Sequence, residues 1–91
     1  MGAVADRIRA KLQTAFAPER LEVVDDSGRH AGHAGADPER GETHFNVAIT
    51  SAAFQGLGRV ERQRRVNAAL AEELAGPVHA LSIRALAPGE A

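Results

Sequence analysis

The pair Gly76-Pro77 limits the fold of this chain more than any other feature of its sequence. A glycine directly after a helix supplies its C-terminal turn, and a proline cannot continue the helix. The preceding residues, 59–74, carry an apolar stripe with helical spacing, formed by Val66, Ala69, Leu70 and Leu74. Residues 78–85 then alternate as a strand does, with His79, Leu81 and Ile83 on one side. The chain is therefore predicted to change from helix to strand at this pair.

The upstream sequence predicts one further helix and two strands. Residues 3–16 form an amphipathic helix that ends before Pro18, because its apolar residues recur every four positions. Residues 21–26 and 43–50 read as strands that pair antiparallel. Ser51 is placed to cap a short helical turn that runs through Phe54. The order is α-β-β-α-α-β, which predicts an α+β two-layer sandwich with helices on one face of a three-stranded sheet.

The length of 91 residues predicts a single domain over residues 1–91. Residues 27–42 are rich in glycine and lack apolar periodicity, so they are expected to form a long, flexible loop. Residues 87–91 are expected to be a frayed tail.

Composition excludes several classes of function. The chain has no cysteine, which rules out a thiol nucleophile and any metal or cluster site built from this chain's own thiolates. No nucleophilic serine lies between elbow glycines, so we expect no enzyme. A net charge of −1 argues against a chain-wide attraction to nucleic acid. No signal peptide or membrane span is visible in the sequence, and a cytoplasmic protein is expected.

Four short segments follow one another along the chain in a specific order and spacing. They are Leu21-Glu22-Val23-Val24-Asp25-Asp26-Ser27, Glu42-Thr43-His44-Phe45, Phe54-Gln55-Gly56 followed by Arg62-x-Arg64-x-Val66, and Ala71 through Leu81 with Gly76-Pro77-Val78-His79. Together they resemble the BolA family over nearly the whole chain. The resemblance implies a fold related to type II KH domains. It also implies a monothiol glutaredoxin partner, a 2Fe–2S cluster shared with that partner and glutathione, and links to DNA binding and transcriptional regulation.

His79 has two interpretations. From residue type and position alone, a structural histidine packed beside Leu81 is the better one, since lone histidines are usually structural. The resemblance instead implies that His79 is a cluster ligand. It places the second ligand in the loop, where His30 is the better match and His33 is the alternative. His44 has the opposite strand parity from the apolar residues and is left out of the site.

Because the chain lacks thiolates, it is not expected to hold a 2Fe–2S cluster alone. The isolated protein should carry no cofactor and be a monomer or weak homodimer. Imidazole binds a metal only when neutral, so cluster binding should weaken below about pH 6.

The arginines at positions 59, 62, 64 and 65 suggest a second surface. Such a run is usually a solvated helix face, but Arg59, Arg62, Arg64 and Arg65 are also candidates for contacting duplex DNA or a glutaredoxin. The Gly-x-x-Gly of KH domains is not found between the central helices, where Gln55-Gly56-Leu57-Gly58 stands instead. The family's common Arg-His-Arg motif reads Arg62-Gln63-Arg64 here, so the role of that histidine is either absent or performed by the amide of Gln63.

Overall fold

A computed structural model describes residues 2–26 and 43–90. Its helices and strands follow one another as α1 (Ala3–Phe16), β1 (Arg20–Asp25), β2 (His44–Thr50), a 3-10 turn (Ala52–Phe54), α2 (Arg59–Ala69), α3 (Ala71–Ala75) and β3 (Ala80–Leu86). The α+β class predicted from the sequence is confirmed. The loop predicted over residues 27–42 lies outside the described residues.

The three strands form one mixed sheet with β2 at its centre. β1 pairs with β2 antiparallel, as predicted, and β3 pairs with β2 in parallel. The parallel pairing follows from the helices between β2 and β3, which carry the chain back to the end of the sheet where β2 began.

One face of the sheet packs against α1 and α2 and forms the core. The alternation predicted for β2 is confirmed, since Phe45, Val47 and Ile49 are buried. The helices bury their predicted apolar stripes against these residues; Ile8, Leu12, Val66 and Leu70 are fully enclosed. The other face carries the alternate residues of all three strands, and we call it the open face. Its exposed members are Arg20, Glu22, Val24, Asn46, Ala48, Ala80, Ser82 and Arg84.

Ser51 confirms its predicted role as a helix cap and has a second one. Its Oγ accepts the Ala53 N–H at 3.1 Å, at the start of the 3-10 turn. The same hydroxyl donates to the carbonyl of Phe16 at 2.6 Å. Ser51 is buried, so one hydroxyl joins the C-terminus of α1 to the end of β2.

Three segments differ from the predictions by more than one residue. The helix predicted over residues 59–74 is divided at Leu70, whose backbone (φ −108°, ψ 21°) departs from helical geometry. Leu70 stays buried, and the shorter α3 continues from it. The last strand begins at Ala80 rather than Val78. The tail expected to be frayed is folded back over residues 87–90, where Ala87 is buried and donates its N–H to the Glu90 carboxylate at 2.9 Å.

Candidate functional site

The described residues that flank the predicted loop over residues 27–42 lie at the end of the sheet where β3 starts. At the first end, Asp26 donates its N–H to the carbonyl of His44 at 2.7 Å. At the second end, the carbonyl of Thr43 accepts the N–H groups of His79 at 2.8 Å and Ala80 at 3.1 Å. The backbone of His79 is therefore hydrogen-bonded to the residue at which the loop returns to the sheet.

His79 does not face the core, contrary to the parity predicted from the sequence. The buried residue at this position is Val78, which is 4% exposed, while His79 is exposed. The reason lies in the end of α3, because Val78 donates its N–H to the carbonyl of Glu73 at 2.9 Å. A hydrophobic contact commonly accompanies such a helix end. Val78 therefore completes the helix terminus and takes the core position, and His79 is left outside the sheet.

A buried ion pair fixes the turn that carries His79. The carboxylate of Glu73 is 3% exposed, and the Nζ of Lys11 on α1 lies 2.8 Å from it. Burial acts to raise the pKa of Glu73, but the hydrogen bond from Lys11 and the nearby charge of Arg7 outweigh it, so the pKa lies below its usual value. Glu73 is therefore charged at neutral pH and ties α3 to α1.

The sequence contains a signal for this pair. Glu73 lies seven residues after Val66, on the same helical stripe, so an acid was placed at a core position. A buried acid requires a cationic or hydrogen-bonding partner. The identity of that partner could not be predicted, because Lys11 is 62 residues away.

The imidazole of His79 makes no hydrogen bond within residues 2–26 and 43–90. His44 pairs in register with Ala80, so a second imidazole lies at the same end of the sheet. The Nδ1 of His44 lies 2.7 Å from the hydroxyl of Thr43, which orients this ring. His30 and His33 lie outside the described residues, and their part in the site stays a prediction.

The donor atoms here suit a shared metal cluster better than a site held by this chain alone. Within the described residues, no group of three histidine, aspartate or glutamate side chains could hold a metal ion. An exposed neutral imidazole can supply one nitrogen ligand, and the chain has no thiolate to add. Thiolates are the usual ligands of 2Fe–2S clusters. The residues present therefore fit such a cluster only if another molecule brings the thiolates.

The four arginines of α2 have different surroundings. Arg62 is 12% exposed and is held inside the molecule, donating to the carbonyls of Leu57 at 2.9 Å and Ala85 at 3.1 Å. It also forms a bidentate pair with the Glu90 carboxylate. That hydrogen bonding lowers the pKa of Glu90 to about 2. Arg62 thus holds the C-terminal tail, and its guanidinium is already paired.

The other three arginines point outward. Arg65 forms an exposed pair with Glu61 at 3.2 Å. Arg59 and Arg64 are exposed and have no ion pair among the described residues. Arg59 also lines a groove between α2 and β3, together with Arg84. Of the four arginines that the sequence suggested for an anionic partner, Arg59 and Arg64 are therefore exposed without an ion pair among the described residues.

Gln63 has a defined structural contact. Its Nε2 donates to the carbonyl of Ile83 at 3.0 Å. Since β3 is an edge strand, this bond and the one from Arg62 to Ala85 cover two of its backbone carbonyls. The amide at the position of the family's common histidine therefore protects a sheet edge from pairing with other chains.

The family model described as BolA-like protein matches residues 12–90 of this chain. The chain belongs to the BolA-like family. BolA-like protein 1 of Homo sapiens is 50% identical over 90 residues, which cover 99% of this chain and 62% of that protein. The protein named DNA-binding transcriptional regulator BolA in Escherichia coli K12 is 44% identical over 80 residues, covering 88% of this chain and 71% of that protein.

The BolA domain of SufE1 from Arabidopsis thaliana has a closely similar structure. Its TM-score is 0.87 at 46% identity, and the match covers 100% of this chain and 99% of that one. The BolA-like resemblance and the two-layer α+β fold predicted from the sequence are thus confirmed. The chain spans about three-fifths of the human relative, at 62% of its length. In the part of the chain that the structure describes, no helix is long and apolar enough to cross a membrane.

Proposed function

We propose that this BolA-like protein is a non-enzymatic adaptor that binds a monothiol glutaredoxin and shares a 2Fe–2S cluster with it. The observation that carries the proposal is the position of His79. Its imidazole is exposed at the end of the sheet, and its backbone is bonded to Thr43, where the histidine-bearing loop returns. His79 and His30 are the proposed protein ligands, with His33 as the alternative to His30.

The donor atoms of each molecule decide which cluster ligands it supplies. When bound between the two proteins, the 2Fe–2S cluster would supply a redox-active and transferable unit. The chain itself supplies neutral imidazole nitrogen, and replacing thiolate by imidazole on one iron raises the reduction potential. The partner's cysteine and glutathione supply the thiolates that this chain lacks. The Glu73–Lys11 pair and the buried Val78 anchor the residues on either side of Gly76-Pro77, next to the exposed His79. Such a protein would serve iron–sulfur trafficking or iron homeostasis, and a cytoplasmic location stays a prediction.

Reconstitution tests this proposal. The protein is mixed with a monothiol glutaredoxin, ferrous iron, sulfide and glutathione, and the visible circular dichroism is compared with that of the glutaredoxin alone. A new spectrum and co-elution of both proteins are expected. Parallel samples of His30→Ala and His33→Ala identify the loop ligand, because only the variant lacking the ligand should lose the new spectrum. A mixture whose spectrum and elution match the glutaredoxin alone would refute the proposal.

A second candidate function is binding of duplex DNA by the outward arginines of α2. It is favoured by the exposure of Arg59 and Arg64 and by the name of the Escherichia coli relative. Gel shifts at increasing salt test it, because each lost phosphate contact reduces the salt dependence. Substituting Arg64 and Arg65 should weaken binding of any sequence. Absence of a shift at low salt would eliminate this function.

A further inference from the structure

The open face of the sheet is a surface that the proposed function leaves unexplained. The helices pack on the opposite face only, and no described residue covers this one. Its centre is lined by the small side chains of Asn46, Ala48 and Ser82, which form a shallow depression. Val24 at one rim is 42% exposed.

The charges on this face have a specific arrangement. Glu22 on β1 pairs in register with Ala48 on β2, and Ala48 pairs with Arg84 on β3. The three residues therefore form one row across the sheet, in which Glu22 and Arg84 are about 10 Å apart. Both are exposed and neither has an ion pair within the described residues. An acid and a base thus stand at opposite edges with an alanine between them.

This row is complementary to itself under one two-fold symmetry. When two sheets pack face to face about an axis parallel to the strands, β1 of each lies over β3 of the other. Glu22 of each copy then faces Arg84 of the other copy, which gives two ion pairs. An axis perpendicular to the strands would instead place Glu22 over Glu22 and Arg84 over Arg84. Glu22 and Arg84 therefore favour the first arrangement, in which the third exposed charge of the face, Arg20, lies over the uncharged Leu86 of the other copy.

We propose that the open face is a homodimer interface, in which a second copy of this chain stacks with Glu22 and Arg84 paired across a two-fold axis parallel to the strands. Ala48 and Asn46 lie nearest the axis, where their small size lets the sheets approach. Each Val24 then lies over the depression at Ser82 of the other copy. The proposal does not rest on the cluster function, since it uses none of the histidines.

The size of the face predicts a weak dimer. Three strands and about six residues of each give a contact of about 15 by 20 Å. That area, roughly 600 Å² over both copies, is below the roughly 1,200–2,000 Å² of stable interfaces, and its central charges make the contact sensitive to salt. We expect association that is visible at high protein concentration and low ionic strength, and weaker at high ionic strength.

Charge exchange tests the arrangement by sedimentation velocity on the full chain. Glu22→Arg alone and Arg84→Glu alone each replace two attractive contacts by two repulsive ones, and each should weaken association on the order of tenfold. An equal mixture of the two variants restores both attractions in a heterodimer, and so does the double variant in a homodimer. Both should therefore recover wild-type association. Because both residues are exposed, far-ultraviolet circular dichroism should show all variants folded.

Three results would overturn the proposal. The wild-type chain could remain a monomer at every concentration and salt. Either single variant could associate as tightly as the wild-type chain, which would place the interface elsewhere. The mixture and the double variant could fail to recover association, which would rule out the pairing of Glu22 with Arg84.

Discussion

Neighbouring alanine substitutions at Val78 and His79 should have very different effects on stability. Val78 is 4% exposed, so Val78→Ala removes two buried methyl groups, at about 0.8 kcal/mol each, and leaves a small cavity. We expect a loss of about 2 kcal/mol in the free energy of unfolding. For a chain of this size, that corresponds to a fall of roughly 8–16 °C in Tm. His79 is exposed, and His79→Ala should change stability by less than about 0.5 kcal/mol.

Urea denaturation followed by circular dichroism at low protein concentration measures both values. The two variants should share the wild-type dependence on denaturant, so that midpoint shifts report stability directly. The strand parity predicted from the sequence would give the reverse order, with His79 inside and Val78 outside. A His79→Ala variant that loses as much stability as Val78→Ala would therefore refute the position assigned to the imidazole.

Three further predictions concern contacts that hold the two layers together. Ser51→Ala removes the cap of the 3-10 turn and the hydrogen bond to the last carbonyl of α1, and it should cost about 2 kcal/mol in thermal or urea unfolding. The control Ser82→Ala, at an exposed serine of β3, should cost little. Gln63→Ala should cost about 1 kcal/mol in the same assay, because the carbonyl of Ile83 loses its partner. Glu90→Gln should lower stability at neutral pH, since pairing with Arg62 holds the folded pKa of Glu90 at about 2, below its usual 4.5. A carboxyl whose pKa is lowered by folding stabilises the protein at pH values above its pKa in the unfolded chain. The difference in the free energy of unfolding between wild type and variant should therefore shrink as the pH falls from about 4.5 to 2, and then vanish.

Local patterns were sufficient to predict most of the fold. The alternation around Phe45 and Val47 identified the central strand, and the four-residue recurrence through Ile8 and Leu12 identified α1. The cap at Ser51 was also predicted, because the serine and the turn it caps are adjacent in sequence. Such features depend on neighbouring residues only, and so a single sequence contains them.

The errors arose where distant residues decide the outcome. The side chain of His79 was assigned inward because parity was extended to the strand's first residue, whereas the end of α3 turns Val78 inward instead. Arg62 was counted among the candidate arginines for binding DNA or a partner, although Glu90 at the far end of the chain pairs with it. The tail was expected to fray because its own sequence has no apolar pattern. Nothing within the tail indicates that its Glu90 pairs with the distant Arg62.

The same limit applies to the candidate site. The sequence identified His79 by resemblance, but the hydrogen bonds that bring it to Thr43 join residues far apart in the chain. The structure adds that this histidine is exposed and that a buried ion pair fixes its turn. Because His79 is exposed, another molecule can reach the donor nitrogen of its imidazole.

The most direct test of the central proposal is the circular dichroism of the cluster reconstituted with a monothiol glutaredoxin, using His79→Ala beside His44→Ala. His44 is the matched control, because it lies at the same end of the sheet and is not a proposed ligand. We predict that the wild-type and His44→Ala proteins give the same new spectrum, and that His79→Ala gives the spectrum of the glutaredoxin alone. A His79→Ala protein that retains the wild-type spectrum would contradict the assignment of His79 as a cluster ligand.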